Sequence, residues 1–269
     1  MKPQLSGFTS QEGRAVFPAA YDRVLGELWP VPYESVEAPT RFGPTHAIVS
    51  GPPAAPPLLL LHGPGCQRPP GTPTSPPTPT GSAPTRWIPS STPDAAARPA
   101  SCAAARISDV LDGLGLDQTA TAGLSQGGWA AACAARFLPD RVTRLGLLAP
   151  VGALAPFRLP YWLLFRFPSL VPKGDELARA RKVFASMRLV PDEAFIQQVA
   201  LGSRHFGSQR PPVFPWSFSD HDLGRISAPI LLLVAGQETL YDPRRALERA
   251  RRLLPNLTDS DLVPGAGHL

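Results

Sequence analysis

The chain has 269 residues, 43% of them hydrophobic and 17% charged, which is enough apolar material for the core of one α/β domain with a modest insertion. The formal net charge is +5, but the densest group of arginines, between Arg244 and Arg252, alternates with Ala and Leu. That spacing is typical of the solvated face of an amphipathic helix, and no nucleic-acid-binding module accompanies it. We therefore expect no nucleic-acid partner. Because no run of 18 apolar residues occurs, we expect no membrane partner either.

Cysteine usage and the N-terminal residues both favour a cytoplasmic protein. Cys66, Cys102 and Cys133 show neither a paired spacing nor a metal-ligand pattern, so we expect no disulfide framework and no metal. The first residues, MKPQLSGFTSQEGR, lack the apolar core of a signal peptide. The expected compartment is the reducing cytoplasm.

Predicted helices and strands alternate along most of the chain. Before residue 66 they are a helix at residues 19–29 and strands at residues 33–41, 45–50 and 57–61. After residue 106 they are a helix at 107–116, a strand at 118–124, a helix at 126–137, a strand at 142–148, a helical and aromatic stretch at 150–228, a strand at 229–235, a helix at 242–254 and a weaker strand at 257–263. Several strands are unbroken apolar runs, which indicates a mostly parallel sheet with helices on both faces.

The motif Gly123-Leu-Ser125-Gln-Gly127 lies between a predicted strand and a predicted helix. This G-x-S-x-G pattern is the nucleophile elbow, a sharp turn that exposes a serine hydroxyl above the sheet. The helix that follows directs its positive N-terminal end at the site. The alternative is a Gly-Ser turn that only caps a helix. We interpret Ser125 as a nucleophile.

A serine nucleophile needs a base, and the base needs an acid that orients it. After Ser125 the histidines are His205, His221 and His268. His268 follows the last predicted strand in a Gly-Ala-Gly-His turn and is the expected base, whereas the other two lie in the aromatic stretch.

Two acidic residues are candidates for the orienting role. Glu238 follows the strand at residues 229–235 and is the preferred acid, because a side chain there projects above the sheet. Asp242 is the alternative, but it also has the position of a helix N-cap before Pro243.

An oxyanion hole requires two backbone N–H donors. Gln126, directly after the nucleophile, is expected to supply one of them. The other is expected from the turn His62-Gly-Pro-Gly65, in which His62 has a structural role. Pro64 has no N–H group, so Gly65 is the candidate for the second donor.

These residues resemble the α/β-hydrolase superfamily, in particular bacterial carboxylesterases with a helical cap. The matching stretches are YDRVLGELWPVPYESV, LLLLHGPG, ISDVLDGLGLDQTATAGLSQGGW, RVTRLGLLAPVGALAP, APILLLVAGQETLYDP and LVPGAGHL. The resemblance implies the α/β-hydrolase fold, a catalytic triad of Ser125, Glu238 and His268, and no cofactor. It also implies hydrolysis of a small or medium hydrophobic ester through an acyl-enzyme. It divides the chain into an N-terminal core part (1–150), a helical cap (151–227) and a C-terminal core part (228–269).

The resemblance fails over residues 66–102, which we call the proline tract. Relatives carry a helix and a buried strand there, whereas this chain has eleven prolines counted from Pro64 and few large apolar residues besides Trp87 and Ile88. Because proline suits neither a helix interior nor a central strand, we expect the tract to lack regular structure. A compensated frameshift and a genuine disordered loop are alternative explanations, which resequencing the gene distinguishes.

The resemblance also ends early. The chain stops at Leu269, one residue after the expected base, so we expect an exposed last strand and a mobile His268. With Pro64 and the proline tract, this leaves a catalytically impaired or non-catalytic protein as an alternative. A lactone hydrolase, C–C hydrolase or perhydrolase is a further alternative, because the same fold and triad serve all of them.

Overall fold

A computed structural model describes residues 8, 10–29, 31–63, 85–88, 99–166, 174–205 and 215–268 of the protein. Within these ranges the strands are β1 (Glu34–Ala38), β2 (Thr45–Ser50), β3 (Leu58–Leu61), β4 (Thr85–Ile88), β5 (Thr119–Leu124), β6 (Val142–Leu148), β7 (Ile230–Ala235) and β8 (Leu257–Val263). The helices are α1 (Gln11–Leu28), α2 (Pro99–Gly113), α3 (Gln126–Phe137), α4 (Leu159–Arg166), α5 (Glu176–Ser186), α6 (Glu193–His205), α7 (Asp220–Leu223) and α8 (Pro243–Leu253).

All eight strands form one sheet in the order β1-β2-β4-β3-β5-β6-β7-β8. From β4 to β8 the neighbouring strands are parallel, and β1 and β2 are antiparallel additions at one side. The parallel strands carry the large side chains of the core, among them Leu59, Leu145, Leu147, Ile230 and Leu232. Strands buried in this way read as continuous apolar runs, which is why the sequence indicated a mostly parallel sheet.

The proline tract contains regular structure, so the expectation that it lacks any is wrong. β4 comes from this tract and pairs in parallel with β3 and antiparallel with β2, which makes it a central strand. Thr85 to Ile88 is a proline-free run between Pro84 and Pro89, and β-branched and aromatic residues favour strands. The backbone groups of β2 and β3 need partners, and four residues with intact N–H groups supply them.

The helix after the tract also begins earlier than predicted. α2 starts at Pro99, not at residue 107, because proline is tolerated in the first turn of a helix, where its missing N–H has no intrahelical partner. Residues 66–84 and 89–98 of the tract lie outside the described residues.

Helices flank the sheet and position its strand ends. α2 packs on α3, and α3 packs on β3, β5 and β6. α8 packs on β7 and β8. These contacts fix the carboxyl ends of the parallel strands, where ligands of open α/β sheets bind.

Four helices, α4 to α7, lie between β6 and β7, in the part of the chain for which a helical cap was predicted. α6 packs against α1 and α5. The division into parts 1–150, 151–227 and 228–269 stays a prediction. No helix in the described ranges has both the length and the apolar character needed to cross a membrane.

Candidate active site

Ser125 lies between the last residue of β5 and the first residue of α3, with φ 56° and ψ −119°. A Cβ atom on Gly123 would lie 2.1 Å from the carbonyl oxygen of Gly127, and one on Gly127 would lie 2.0 Å from that of Leu61. Both positions therefore require glycine. The strained turn of the nucleophile elbow is built here because its flanking residues have no side chains to collide.

His268 is 3% exposed and lies between the elbow and the acidic residue. Its Nε2 atom is 2.8 Å from Oγ of Ser125, and its Nδ1 atom is 2.6 Å from Oε2 of Glu238. The backbone N–H of His268 donates to the carbonyl oxygen of Met187 at 2.9 Å. Three atoms of this residue are thus fixed by hydrogen bonds.

Glu238 is 4% exposed, and both of its carboxylate oxygens have partners. Oε2 meets His268, while Oε1 accepts the backbone N–H groups of Thr239 at 2.8 Å and Leu240 at 2.9 Å. Two N–H donors on one oxygen fix the plane of the carboxylate and direct the other oxygen at the imidazole.

Asp242, the alternative acid, caps the N-terminus of α8. Its Oδ1 atom accepts the backbone N–H groups of Arg244 and Arg245, each at 3.1 Å. The structure therefore brings Glu238, and not Asp242, to His268. Gly236, two residues before Glu238, has no room for a side chain, because a Cβ built on it would lie 2.8 Å from the carbonyl oxygen of Val263.

The hydrogen-bond roles follow from the chemistry of the groups. An ionised carboxylate only accepts hydrogen bonds, so Nδ1 of His268 carries a hydrogen and its N–H donates a hydrogen bond to Glu238. Nε2 is then the acceptor, and the hydroxyl of Ser125 donates to it. In this arrangement Nε2 of His268 lies where it can accept the hydroxyl proton of Ser125.

The expected oxyanion donors are only partly covered by the described residues. Gln126 is the first residue of α3 and directly follows Ser125. Gly65 and Pro64 lie outside the described residues. The adjacent Gly63 is next to the nucleophile, because a Cβ built on it would lie 3.4 Å from Cβ of Ser125.

The remaining histidines have other surroundings. His62 is buried, its Nδ1 donates to the carbonyl of Gly63, and burial lowers its pKa to about 4. Nδ1 of His205 lies 3.4 Å from Oγ of Ser10, against α1, and His221 is exposed on α7. Across the part of the chain that the structure describes, no group of three or more His, Cys, Asp or Glu side chains could hold a metal ion.

Sequence reasoning missed the main-chain groups that hold the site. The carbonyl of Met187 contacts His268, and the amides of Thr239 and Leu240 contact Glu238. Every residue has a backbone carbonyl and every residue except proline has an N–H, so no residue type marks these contacts in a sequence. They can be found only once the fold is known.

The chain resembles two Bacillus proteins named carboxylesterase along almost its whole length. Carboxylesterase YbfK of Bacillus subtilis (strain 168) is 31% identical, over 97% of this chain and 90% of that protein. The uncharacterized carboxylesterase nap of the same organism is 29% identical, over 90% of this chain and 83% of that protein. The chain belongs to the carboxylesterase family. No protein-family model matches it.

Solved structures show the same fold. The crystal structure of naproxen esterase (carboxylesterase NP) from Bacillus subtilis has a TM-score of 0.75 and 28% identity, with 94% of this chain and 90% of that one covered. The crystal structure of carboxylesterase CesB (YbfK) has a TM-score of 0.74 and 27% identity, with 96% and 92% covered. The predicted α/β-hydrolase fold and carboxylic ester hydrolase function are confirmed for this carboxylesterase.

Other neighbours share the fold alone. A meta-cleavage product hydrolase from Pseudomonas fluorescens has a TM-score of 0.59 but only 15% identity. Since unrelated reactions occur on one fold, this likeness does not extend to its chemistry.

Proposed function

We propose that this carboxylesterase cleaves small or medium hydrophobic carboxylic esters with Ser125 as nucleophile, His268 as general base and Glu238 as the orienting acid. One observation carries the proposal: three buried side chains from three separate chain segments form a continuous line of hydrogen bonds. Few structural roles demand such an arrangement, whereas nucleophilic catalysis does.

In the acylation step, Oγ of Ser125 attacks the ester carbonyl while Nε2 of His268 takes its proton. The imidazolium that forms is stabilised by Glu238, whose orientation the amides of Thr239 and Leu240 maintain. His268 then returns the proton to the leaving alcohol, and an acyl-enzyme remains. Water, activated by His268 in the same way, releases the acid and regenerates Ser125.

The negative oxygen of each tetrahedral intermediate needs donors. The N–H of Gln126 is the proposed first donor, and the N-terminal end of α3 adds a favourable dipole. Gly65 is the proposed second donor.

Aromatic groups beside the elbow helix support a hydrophobic substrate. Nε1 of Trp129, on α3, donates to the backbone carbonyl of Trp216 at 3.0 Å, and the Trp216 side chain is 58% exposed. Because the backbone of Trp216 is held by Trp129, its exposed indole ring can contact an apolar substrate at low entropic cost. One of the solved structures similar to this chain is named naproxen esterase, which is a name for an enzyme that cleaves an ester.

We also propose a cytoplasmic location. Two of the cysteines, Cys102 and Cys133, are buried free thiols, as is usual in a reducing compartment.

Replacing Ser125 with alanine tests the proposal. Ser125→Ala should abolish labelling by a fluorophosphonate probe and reduce p-nitrophenyl acetate hydrolysis by about 10⁶-fold, because the nucleophile is lost. The melting temperature should stay at the wild-type value. Ser260→Ala, a serine on β8 that hydrogen-bonds Arg251, is the matched control and should retain labelling and rate. Labelling that persists in Ser125→Ala would contradict the assignment.

A further inference from the structure

The turn that ends α5, residues 186–189, has an unusual residue at its sharpest point. Arg188 has φ 55°, a left-handed conformation. Its N–H donates to the carbonyl of Ala185 at 3.0 Å, and the N–H of Leu189 donates to that of Phe184 at 2.9 Å. These two bonds define the Schellman motif, and Arg188 stands at the position that glycine usually takes, because any Cβ is strained there. We call residues 186–189 the α5 turn.

The α5 turn contacts the loop after β8, residues 264–268, which carries His268 and which we call the base loop. The carbonyl of Met187 accepts the backbone N–H of His268 at 2.9 Å. A Cβ on Gly267 would lie 2.2 Å from the carbonyl oxygen of Arg188 and 2.7 Å from its Cβ. The residue just before the base therefore lies directly against Arg188.

The same turn contacts the loop between β7 and α8, residues 236–242, which carries Glu238 and which we call the acid loop. Nη1 of Arg188 donates to Oε1 of Gln237, the residue just before Glu238, at 2.7 Å. The hydroxyl of Tyr161, on α4, donates to the carbonyl of Ser186 at 2.8 Å and is 3.2 Å from Oγ1 of Thr239, just after the acid.

The two loops are also joined to each other. The N–H of Gln237 donates to the carbonyl of Ala266 at 2.8 Å. The α5 turn, the acid loop and the base loop thus form a closed set of contacts, in which Arg188 touches both loops. Strained backbone is retained where the surrounding contacts determine it, and such positions cluster at functional sites.

We propose that Arg188 is a positioning residue that holds Glu238 and His268 in line with Ser125. This inference rests on the triad proposed above. Arg188 touches no reacting atom in this arrangement. Its backbone sets the path of the base loop through Gly267, and its guanidinium sets the path of the acid loop through Gln237.

If Arg188 positions Glu238 and His268, kcat should depend on Arg188 and KM should not. A shift of about 1 Å in catalytic geometry costs about 100-fold in rate. Loss of the guanidinium should therefore lower kcat of p-nitrophenyl acetate hydrolysis by about 10- to 100-fold and leave KM unchanged.

The variant Arg188→Gly distinguishes a loss of positioning, which lowers kcat alone, from a loss of stability, which also lowers the melting temperature. Glycine relieves the left-handed strain, so the melting temperature should be equal to or above that of wild type while kcat falls. Arg188→Lys, which retains a donor that reaches Gln237, should recover part of the rate. Arg181→Ala is the matched control: this arginine of α5 is 53% exposed and pairs with Glu193 on α6, away from both loops, so its kcat and melting temperature should match wild type.

A second readout does not depend on turnover. The downfield ¹H resonance of the His268 Nδ1 proton, hydrogen-bonded to Glu238, should be sharp in wild type and in Arg181→Ala and should broaden or disappear in Arg188→Gly. A kcat of Arg188→Gly within about twofold of wild type would overturn the inference, as would a fall in melting temperature parallel to the fall in kcat. A wild-type protein without Ser125-dependent fluorophosphonate labelling would instead overturn the proposed function, and this inference with it.

Discussion

β4 and β5 lie on the two sides of β3, yet they are specified in different ways. β5 pairs with β3 over four residues and leads into the elbow. At Gly123 or Gly127 of the elbow, a methyl group in place of the glycine hydrogen would collide with backbone atoms. β4 pairs with β3 over three residues, within a stretch dominated by proline. On the β5 side, residue identity is fixed by close contact. On the β4 side, the structure shows backbone pairing with both neighbouring strands.

This difference explains why proline content misled the prediction for β4. The rule against proline in a central strand applies to the paired residues, and the paired residues here contain none. A strand that fills the space between β2 and β3 needs N–H and C=O groups more than it needs a hydrophobic pattern. We therefore expect substitutions at the active site to change stability or activity through side-chain atoms. In β4 we expect the largest loss of stability from a substitution that removes a backbone N–H.

The largest effect is expected from Gly127→Ala. Its Cβ would lie 2.0 Å from the carbonyl oxygen of Leu61, and neither backbone segment can move without disturbing the elbow. We expect a loss of more than about 4 kcal/mol in the free energy of unfolding, together with the loss of esterase activity. Urea unfolding and p-nitrophenyl acetate assays measure both. Gly26→Ala in α1, where a Cβ meets no atom within 4 Å, is the control and should stabilise by up to about 1 kcal/mol. A stable, active Gly127→Ala protein would show that the elbow tolerates a side chain.

The next effect concerns the acid. Glu238→Gln should lower kcat by about 10⁴-fold, because an amide no longer stabilises the correct imidazole tautomer and the imidazolium. Asp242→Asn makes the same chemical change four residues on, but asparagine caps a helix as well as aspartate does, so rate and stability should hardly change. Steady-state kinetics of the two variants decide between the acids. Equal kcat values in wild type and Glu238→Gln would show that Glu238 is not the acid that orients His268.

β4 itself can be tested with a backbone change. Arg86 lies opposite Val49 of β2 and Leu59 of β3. Arg86→Pro removes an N–H from a strand with neighbours on both sides and should destabilise the protein by about 3 kcal/mol or more. Arg86→Ala keeps the backbone and should cost far less. Thermal unfolding compares them, and equal melting temperatures would mean that β4 contributes no essential pairing.

The smallest effect concerns His62, at the end of β3. Its pKa is lowered to about 4 because burial disfavours the charged form, while its usual value is 6.5. Between pH 6.5 and about pH 4, His62 is therefore protonated in the unfolded chain but neutral in the folded protein. The contribution of neutral His62 to the free energy of unfolding is fully present above pH 6.5 and is lost as the pH falls towards 4. Between neutral pH and about pH 5 the loss should be about 2 kcal/mol. Urea unfolding at both pH values should show a smaller loss in His62→Asn; an equal loss in both proteins would mean that His62 titrates normally.

Much of the fold and the meeting of the three site residues follow from sequence patterns. Buried parallel strands are continuous apolar runs, and Gly123-Leu-Ser125-Gln-Gly127 marks a strand-to-helix turn in any context of this kind. The choice between Glu238 and Asp242 was harder, because both follow β7. The sequence marked Asp242 as a helix N-cap before Pro243, but only the structure shows which of the two carboxylates contacts His268.

The rest depends on contacts between distant segments. Nothing in the sequence relates Arg188 to Gln237 or to Gly267, since their proximity arises from the packing of a helical insertion on two loops. β4 was missed for a similar reason: its pairing is set by the edges of β2 and β3, which lie elsewhere in the chain.

The place of β4 in the sheet also determines how the protein opens locally. In the ladder that the structure describes, β4 is the single strand that joins the β1–β2 hairpin to the parallel strands beyond it. Native proteins open in cooperative units whose free energies range from near zero to that of global unfolding. Because β4 pairs over only three residues with each neighbour, its release is one such unit. We therefore expect the amides of β2 and β3 that face β4 to lose their protection from hydrogen exchange in one step, and those between β5 and β6 to exchange only when the whole domain unfolds.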